Sequence, residues 1–237
     1  MRVNFEGFKG GDRTSIELPE TQRKYIAELK KTGKPIVFVN LSGSAVAMAP
    51  EAEACDVILQ GWYGGQAGGE AVADVLFGDY NPAGRLPVTF YASDADLQDF
   101  GDYDMPGKTY RYFKGKPLFP FGHGLSFSEF KYRRAKYRKG VLRIPVKNVS
   151  GVDGDEVVQV YIKRADDADG PLMSLRGFKR VSVKAGKKSV VEIPMSAENI
   201  DLFNPETGKM EAAPGKYIVY YGGTSDMSKL RKRTIRI

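Results

Sequence analysis

Hydrophobic positions change their period partway along the chain. Up to about residue 90, runs at helical spacing alternate with short runs that are nearly all apolar. Glu20 to Lys31 sets Tyr25, Ile26 and Leu29 on one predicted helical face, and Thr32-Gly33-Lys34-Pro35 stops it. Ile36 to Val39 reads as a buried strand, Ser42-Gly43-Ser44 as a turn, Pro50 to Ala54 as a short helix, and Val57 to Leu59 as a second strand. A glycine-rich turn follows, in which Gly61, Gly64, Gly65, Gly68 and Gly69 free the backbone for conformations that Cβ-bearing residues resist. Ala71, Val72, Val75 and Leu76 then form the apolar stripe of a third helix. Strand, helix, strand, helix in this order predicts a parallel sheet covered by helices. Ligands on such sheets gather beyond the carboxyl ends of the strands, where the Ser42 turn and the Gly64 loop would lie.

From about Lys131 the pattern becomes that of short strands. Val141 to Val146, Glu156 to Lys163, Val181 to Val183, Ser189 to Pro194 and Lys216 to Tyr221 are β-branched or aromatic. Turns at Ser150-Gly151, Asp153-Gly154, Ala185-Gly186 and Pro214-Gly215 separate them, which predicts a β-sandwich. Residues 91 to 128 are Asp-rich, then rich in Pro, Gly and aromatics. A connection this long is functional or a linker.

With 237 residues, the chain can form one large or two modest domains with cores of their own. Its apolar runs fall far short of the ~20 residues that span a bilayer, so membrane insertion is not expected. No charged-then-apolar leader follows Met1. Cys55 is the single cysteine, which excludes an intrachain disulfide and a thiolate zinc site; a small buried residue is the expected role. The formal charge of +7 draws attention to Lys131 to Lys139 and Lys229 to Arg236, the first interleaved with Tyr132 and Tyr137. Such runs neutralise phosphates, but without a nucleic-acid module the expectation is strands with cations on an exposed face, and no nucleic-acid partner.

Candidate chemistry is sparse. The glycine turn lacks the spacing of a phosphate loop, and Ser42-Gly43-Ser44 lacks the frame of a nucleophile elbow. Asp94, Asp96, Asp99, Asp102 and Asp104 lack the spacing of a calcium loop, so neither a metal nor any cofactor is expected. His123, the sole histidine, sits between glycines in a tight loop, for which a structural or substrate-edge role is preferred.

An ordered set of motifs adds to this reading. Gln60-Gly61-Trp62-Tyr63, Gly68-Gly69, Ala73 to Gly78, Asn81-Pro82-Ala83-Gly84-Arg85-Leu86-Pro87, Tyr110-Arg111-Tyr112-Phe113, Leu118 to Ser126, Gly177-Phe178 and Pro214-Gly215-Lys216-Tyr217 follow one another. In that order they resemble the C-terminal part of glycoside hydrolase family 3, the β-glucosidases and β-xylosidases, and most closely its bacterial branch. The resemblance implies an α/β fold, a partial parallel-sheet α/β sandwich over 1–92, then a linker with an aromatic and Gly-rich loop over 93–129. An all-β, fibronectin-III-like sandwich over 130–237 completes it.

The resemblance further implies an exo-acting retaining β-glycosidase, with a nucleophilic Asp on an N-terminal barrel domain that this chain lacks. The acid/base Glu of such enzymes shortly precedes an Asp-Arg pair, here Asp12-Arg13, with Leu18-Pro19 beyond. Glu6 is the candidate. The usual motif puts Glu three residues before the Asp, where this chain has Lys9, so a Glu upstream of Met1 and a merely solvated Glu6 stay open. Phe8, Trp62, Tyr63 and Tyr112 are candidate sugar contacts, with core packing the alternative for the rings. The implied partners are a β-linked glucoside or xyloside oligosaccharide and the barrel, without which the chain would be inactive. The implied parent is periplasmic or extracellular. A non-catalytic carbohydrate-binding or scaffold module is the rival reading.

Overall fold

The computed structural model describes residues 15–99, 101–196, 200–204, 206–212 and 214–237. Glu6 and Phe8 therefore lie outside the described residues. The chain forms two compact units. One takes residues up to Tyr80 with 88–109 and 113–119; the other takes 81–87, 110–112 and 120–237.

In the first unit the order is α1 (Glu20–Lys30), β1 (Val37–Asn40), α2 (Ala49–Ala54), β2 (Val57–Gln60) and α3 (Gly68–Phe77). Strands β1 and β2 pair in parallel from Val37 opposite Val57 to Asn40 opposite Gln60, the arrangement that the strand–helix alternation predicts. Arg23 on α1 ties the helices down, with Nη1 2.6 Å from Glu17 and Nε 3.3 Å from the buried Glu51 of α2. Helix α3 ends at Gly78, whose φ of 87° is the left-handed turn that a residue without Cβ accepts cheaply.

Burial departs from expectation in three places. Tyr25 is exposed although its neighbour Ile26 is buried, because the two point about 100° apart and only Ile26 faces α2. Strand β1 is only half covered, with Val37 exposed; two paired strands among the described residues cannot shield both faces. The stripe of α3 is not buried either, and Leu76 and Phe77 are exposed.

In the second unit, β3 (Phe130–Tyr132), β4 (Lys136–Arg138), β5 (Val141–Asn148), β6 (Gly154–Arg164), β7 (Ser174–Val183), β8 (Lys188–Pro194), β9 (Asp201–Asn204), β10 (Lys209–Ala212), β11 (Lys216–Gly222) and β12 (Arg231–Arg236) follow α4 (Thr109–Tyr112), which straddles the two units. One sheet runs β12-β11-β6-β7, antiparallel throughout; in the other, β5 pairs β3 and β4 along one edge and β8 along the other. Leu142, Ile144 and Val146 alternate on β5 and meet Val158, Val160 and Ile162 of β6 and Tyr217, Val219 and Tyr221 of β11 in one core. Strand β7 begins seven residues before the predicted Val181, its polar stretch held by pairing with β6. Both basic runs form strands: β3 and β4 come from the first and β12 from the second.

Strand β6 is buried on both faces, and this is where segments distant in sequence enter. Gln159 and Tyr161 point away from the core yet are covered. Tyr110 stacks on Phe121 at 4.4 Å, and both rings meet Tyr161 edge-on. The Gln159 amide donates to the carbonyls of Gly122 (3.1 Å) and Gly223 (2.8 Å). Thus the Asn81-to-Pro87 and Phe121-to-Ser126 motifs form part of the unit that holds the sandwich.

Candidate functional site

In the first unit, the carboxyl ends of β1 and β2 carry a polar network that sequence reasoning did not identify. The register sets Asn40 beside Gln60, and their side chains join: Asn40 Nδ2 donates to Gln60 Oε1 at 2.7 Å and to Ser42 Oγ at 3.0 Å. Ser42 Oγ donates to the Ser44 carbonyl at 2.9 Å. The signal was present as an amide closing each of two parallel strands, but only the register shows that they meet.

Trp62 and Tyr63 follow directly. Trp62 takes a φ of 53°, unusual for a bulky residue, and lies half-buried and edge-on to Phe90 at 6.1 Å. Tyr63 is 81% exposed. Its ring crosses the turn at Gly43, where an added Cβ would lie 2.5 Å from Tyr63 Cε2, so only glycine leaves the ring that position. The strand ends, the Ser42 turn, Trp62 and Tyr63 thus lie together as the candidate site of this unit. Tyr112 belongs to the other unit, with the Arg111 guanidinium 5.5 Å from its ring centre.

Several carboxylates elsewhere are committed to structure. Asp94 Oδ1 accepts the Ile16 N–H, and hydrogen bonds from Ser15 and Ile16 hold its carboxyl below the usual range. Asp96, Asp99 and Asp102 accept the N–H groups of Ala92, Gly101 and Asp104, so the Asp-rich segment spends its oxygens on its own turns. Among the described residues there is no group of three metal-ligating side chains.

Glu156 is, among the described residues, the one carboxylate pushed above its ordinary range. Burial is the main cause, opposed by Arg85 and by the Tyr132 hydroxyl. It lies wholly within the second unit, with Arg85 Nη2 2.8 Å from Oε2 and Tyr132 Oη donating to Oε1 at 2.6 Å. A carboxylate so enclosed holds loops together; it has no open side for a substrate. His123, in the same unit, is kept toward the neutral form by burial and by the cations Lys229 and Arg85.

Comparison with known proteins places this architecture. A model of the glycosyl hydrolase family 3 C-terminal domain matches residues 3–127.

The chain belongs to that family.

A fibronectin type III-like domain matches residues 156–225. This family 3 chain is 51% identical to the xylan 1,4-beta-xylosidase of Xylanibacter ruminicola, over all of its own length and 28% of that protein. It is 33% identical to the periplasmic beta-glucosidase of Salmonella typhimurium, over 90% of the chain and 31% of that protein. Among solved structures, the beta-glucosidase of Kluyveromyces marxianus superposes with a TM-score of 0.85 at 29% identity, covering 97% of this chain and 30% of that one. The b-glucosidase EmGH1 of Erythrobacter marinus gives 0.84 at 32% identity, covering 98% and 32%. The family 3 chain thus spans about a third of the length of the relatives it matches. An α/β domain followed by a fibronectin-III-like sandwich is its fold class.

Proposed function

We propose that this chain is the C-terminal portion of an exo-acting retaining β-glycosidase that hydrolyses β-linked xylosides or glucosides from plant-type oligosaccharides. The observation that carries the reading is the family 3 match over residues 3–127, in a chain whose relatives are named β-xylosidases and β-glucosidases and are about three times longer. The 51% identity to a protein named for xylan favours the xyloside.

Retention of configuration needs two carboxyl groups about 5 Å apart across the sugar, one attacking the anomeric carbon and one passing a proton to the leaving oxygen. Glu156, locked between Arg85 and Tyr132, serves neither role. In this reading the nucleophile comes from a barrel domain outside the chain, and Glu6 supplies the acid. Trp62, Tyr63, Phe8 and Tyr112 are offered as the sugar contacts. Tyr63 is the best supported of these, since its ring is exposed and lies over the Gly43 turn at the strand ends.

Activity on aryl β-xyloside and β-glucoside tests the reading. The chain by itself should give no turnover, and the same chain joined to a family 3 barrel should give turnover that Glu6→Gln abolishes. Robust hydrolysis by the isolated chain would overturn the division of labour. A joined enzyme indifferent to Glu6→Gln would remove Glu6 from it.

A further inference from the structure

The outer face of the sheet built from β3, β5 and β8 carries a feature that folding does not explain. The register sets Lys131 opposite Lys147, and Lys147 opposite Lys188, placing three like charges in one rung. Their sequence neighbours Val146 and Asn148 are buried, so the rung points away from the core. Adjacent strands lie about 4.8 Å apart, which confines the three stems to a width of roughly 10 Å. Like charges directly opposite one another destabilise a sheet. Lys131 has Glu129 at 3.6 Å, both well exposed; among the described residues Lys147 and Lys188 have no carboxylate within ion-pair distance.

In the neighbouring rung Pro145 stands opposite Val190, which is 57% exposed, while on the β3 side the N–H of the exposed Arg133 donates to the Pro145 carbonyl. Beyond it, Lys136, Arg143 and Glu192 make a third rung, in which Arg143 Nε lies 2.9 Å from Glu192. The face therefore presents cations around an apolar pair. The tyrosines that interleave this basic run point the other way. Tyr132 Oη donates to Glu156, and Tyr137 Oη donates to the Met195 carbonyl while its ring packs on the core. No ring of that run is left on the face to stack against a base, which is what single-stranded nucleic-acid binding requires.

We propose that this face binds a linear acidic polysaccharide, its uronate carboxylates lying along the lysine rung and its ring C–H groups covering Pro145 and Val190. A chain with a carboxylate on every ring keeps neighbouring carboxylates within reach of the flexible lysine stems across the rung's roughly 10 Å width. A flat face suits an extended chain, and the apolar pair suits the C–H side of a pyranose better than a row of phosphates. The surface stands on the sandwich alone and needs no catalysis, so its failure would leave the glycosidase reading untouched.

Affinity electrophoresis of the whole chain in gels containing polygalacturonate, neutral xylan or duplex DNA tests the proposal. Polygalacturonate should retard the protein and neutral xylan should not. Lys131→Gln, Lys147→Gln and Lys188→Gln together should weaken retardation by roughly tenfold or more at low salt, less as salt rises. Lys232→Gln with Arg236→Gln, on β12 of the other sheet, should change it little. The triple variant should also melt higher than the parent, because the repulsion within the rung is gone. No retardation, equal retardation of the triple variant, or a lowered melting temperature would overturn the proposal. Stronger retardation by DNA at matched charge would reassign the face to nucleic acid.

Discussion

Replacing Arg85 by Met probes the tie between the Asn81-to-Pro87 segment and strand β6 within the second unit. The side chains of Arg85 and Glu156 are 9% and 5% exposed, and their ion pair of 2.8 Å is backed by the Tyr132 hydroxyl at 2.6 Å. Methionine fills much the same volume but leaves Glu156 buried without its cation. Breaking such a pair from one side costs about 3–5 kcal/mol, against about 0–1 kcal/mol for an exposed pair. Glu156 titrates above its ordinary range in the folded state because of burial, with Arg85 pulling it back down. Losing Arg85 raises it further. A carboxyl with a raised folded-state pKa binds its proton more tightly folded than unfolded, so stability falls as pH rises from the unfolded value through the folded one. The penalty of Arg85→Met should therefore be largest at neutral pH and shrink as acid protonates Glu156. Adding Glu156→Gln should recover much of the loss and flatten its pH dependence, which a double-mutant cycle measures. The sole tryptophan, Trp62, lies in the other unit, so its fluorescence is not the probe of choice. Hydrogen exchange at the β6 amides, or urea unfolding followed by far-UV circular dichroism, is the assay. A loss under about 1 kcal/mol, or one that does not change with pH, would refute the reasoning.

Other substitutions test other joints. Asn81 Nδ2 donates to Ser128 Oγ (2.9 Å) and the Asp153 carbonyl (2.8 Å), while its Oδ1 accepts from Ser126 Oγ and the Phe127 N–H. Asn81→Asp turns the donor into an acceptor facing two oxygens, so it should destabilise the second unit more than Asn81→Ala does, by chemical denaturation. Ile144→Ala removes a fully buried side chain from the sandwich core and should cost about 2–5 kcal/mol in the same measurement. Gly43→Ala should displace Tyr63 and weaken binding of xylo-oligosaccharide to the joined enzyme. Its effect on melting should be slight, because Tyr63 is largely solvent-exposed.

What could be read from the sequence follows from how local each feature is. The parallel pair β1–β2 was legible because an apolar strand, a helix and a second apolar strand leave few other arrangements. Strands β5, β6, β8 and β11 were legible because β-branched residues alternate across them. Most of strand β7 was missed because Arg176, Lys179 and Arg180 belong to a segment that pairing, not burial, makes extended. The Asn40–Gln60 contact, the Arg85–Glu156 pair and the lysine rung were not legible at all. Each joins residues from 16 to 71 positions apart, and each exists only once a register is fixed. The same dependence gives the family motifs a physical reading. Asn81, Arg85 and the residues around Gly122 belong to the unit that carries the sandwich, and their hydrogen bonds go to Ser128, Asp153, Glu156 and Gln159. Such residues are spelled by the need to cover the outer face of β6, whose Gln159 and Tyr161 would otherwise face water. These family motifs are thus a clasp, bound by hydrogen bonds to residues 37 to 72 positions away or closed on nearby turns, and not a patch of chemistry.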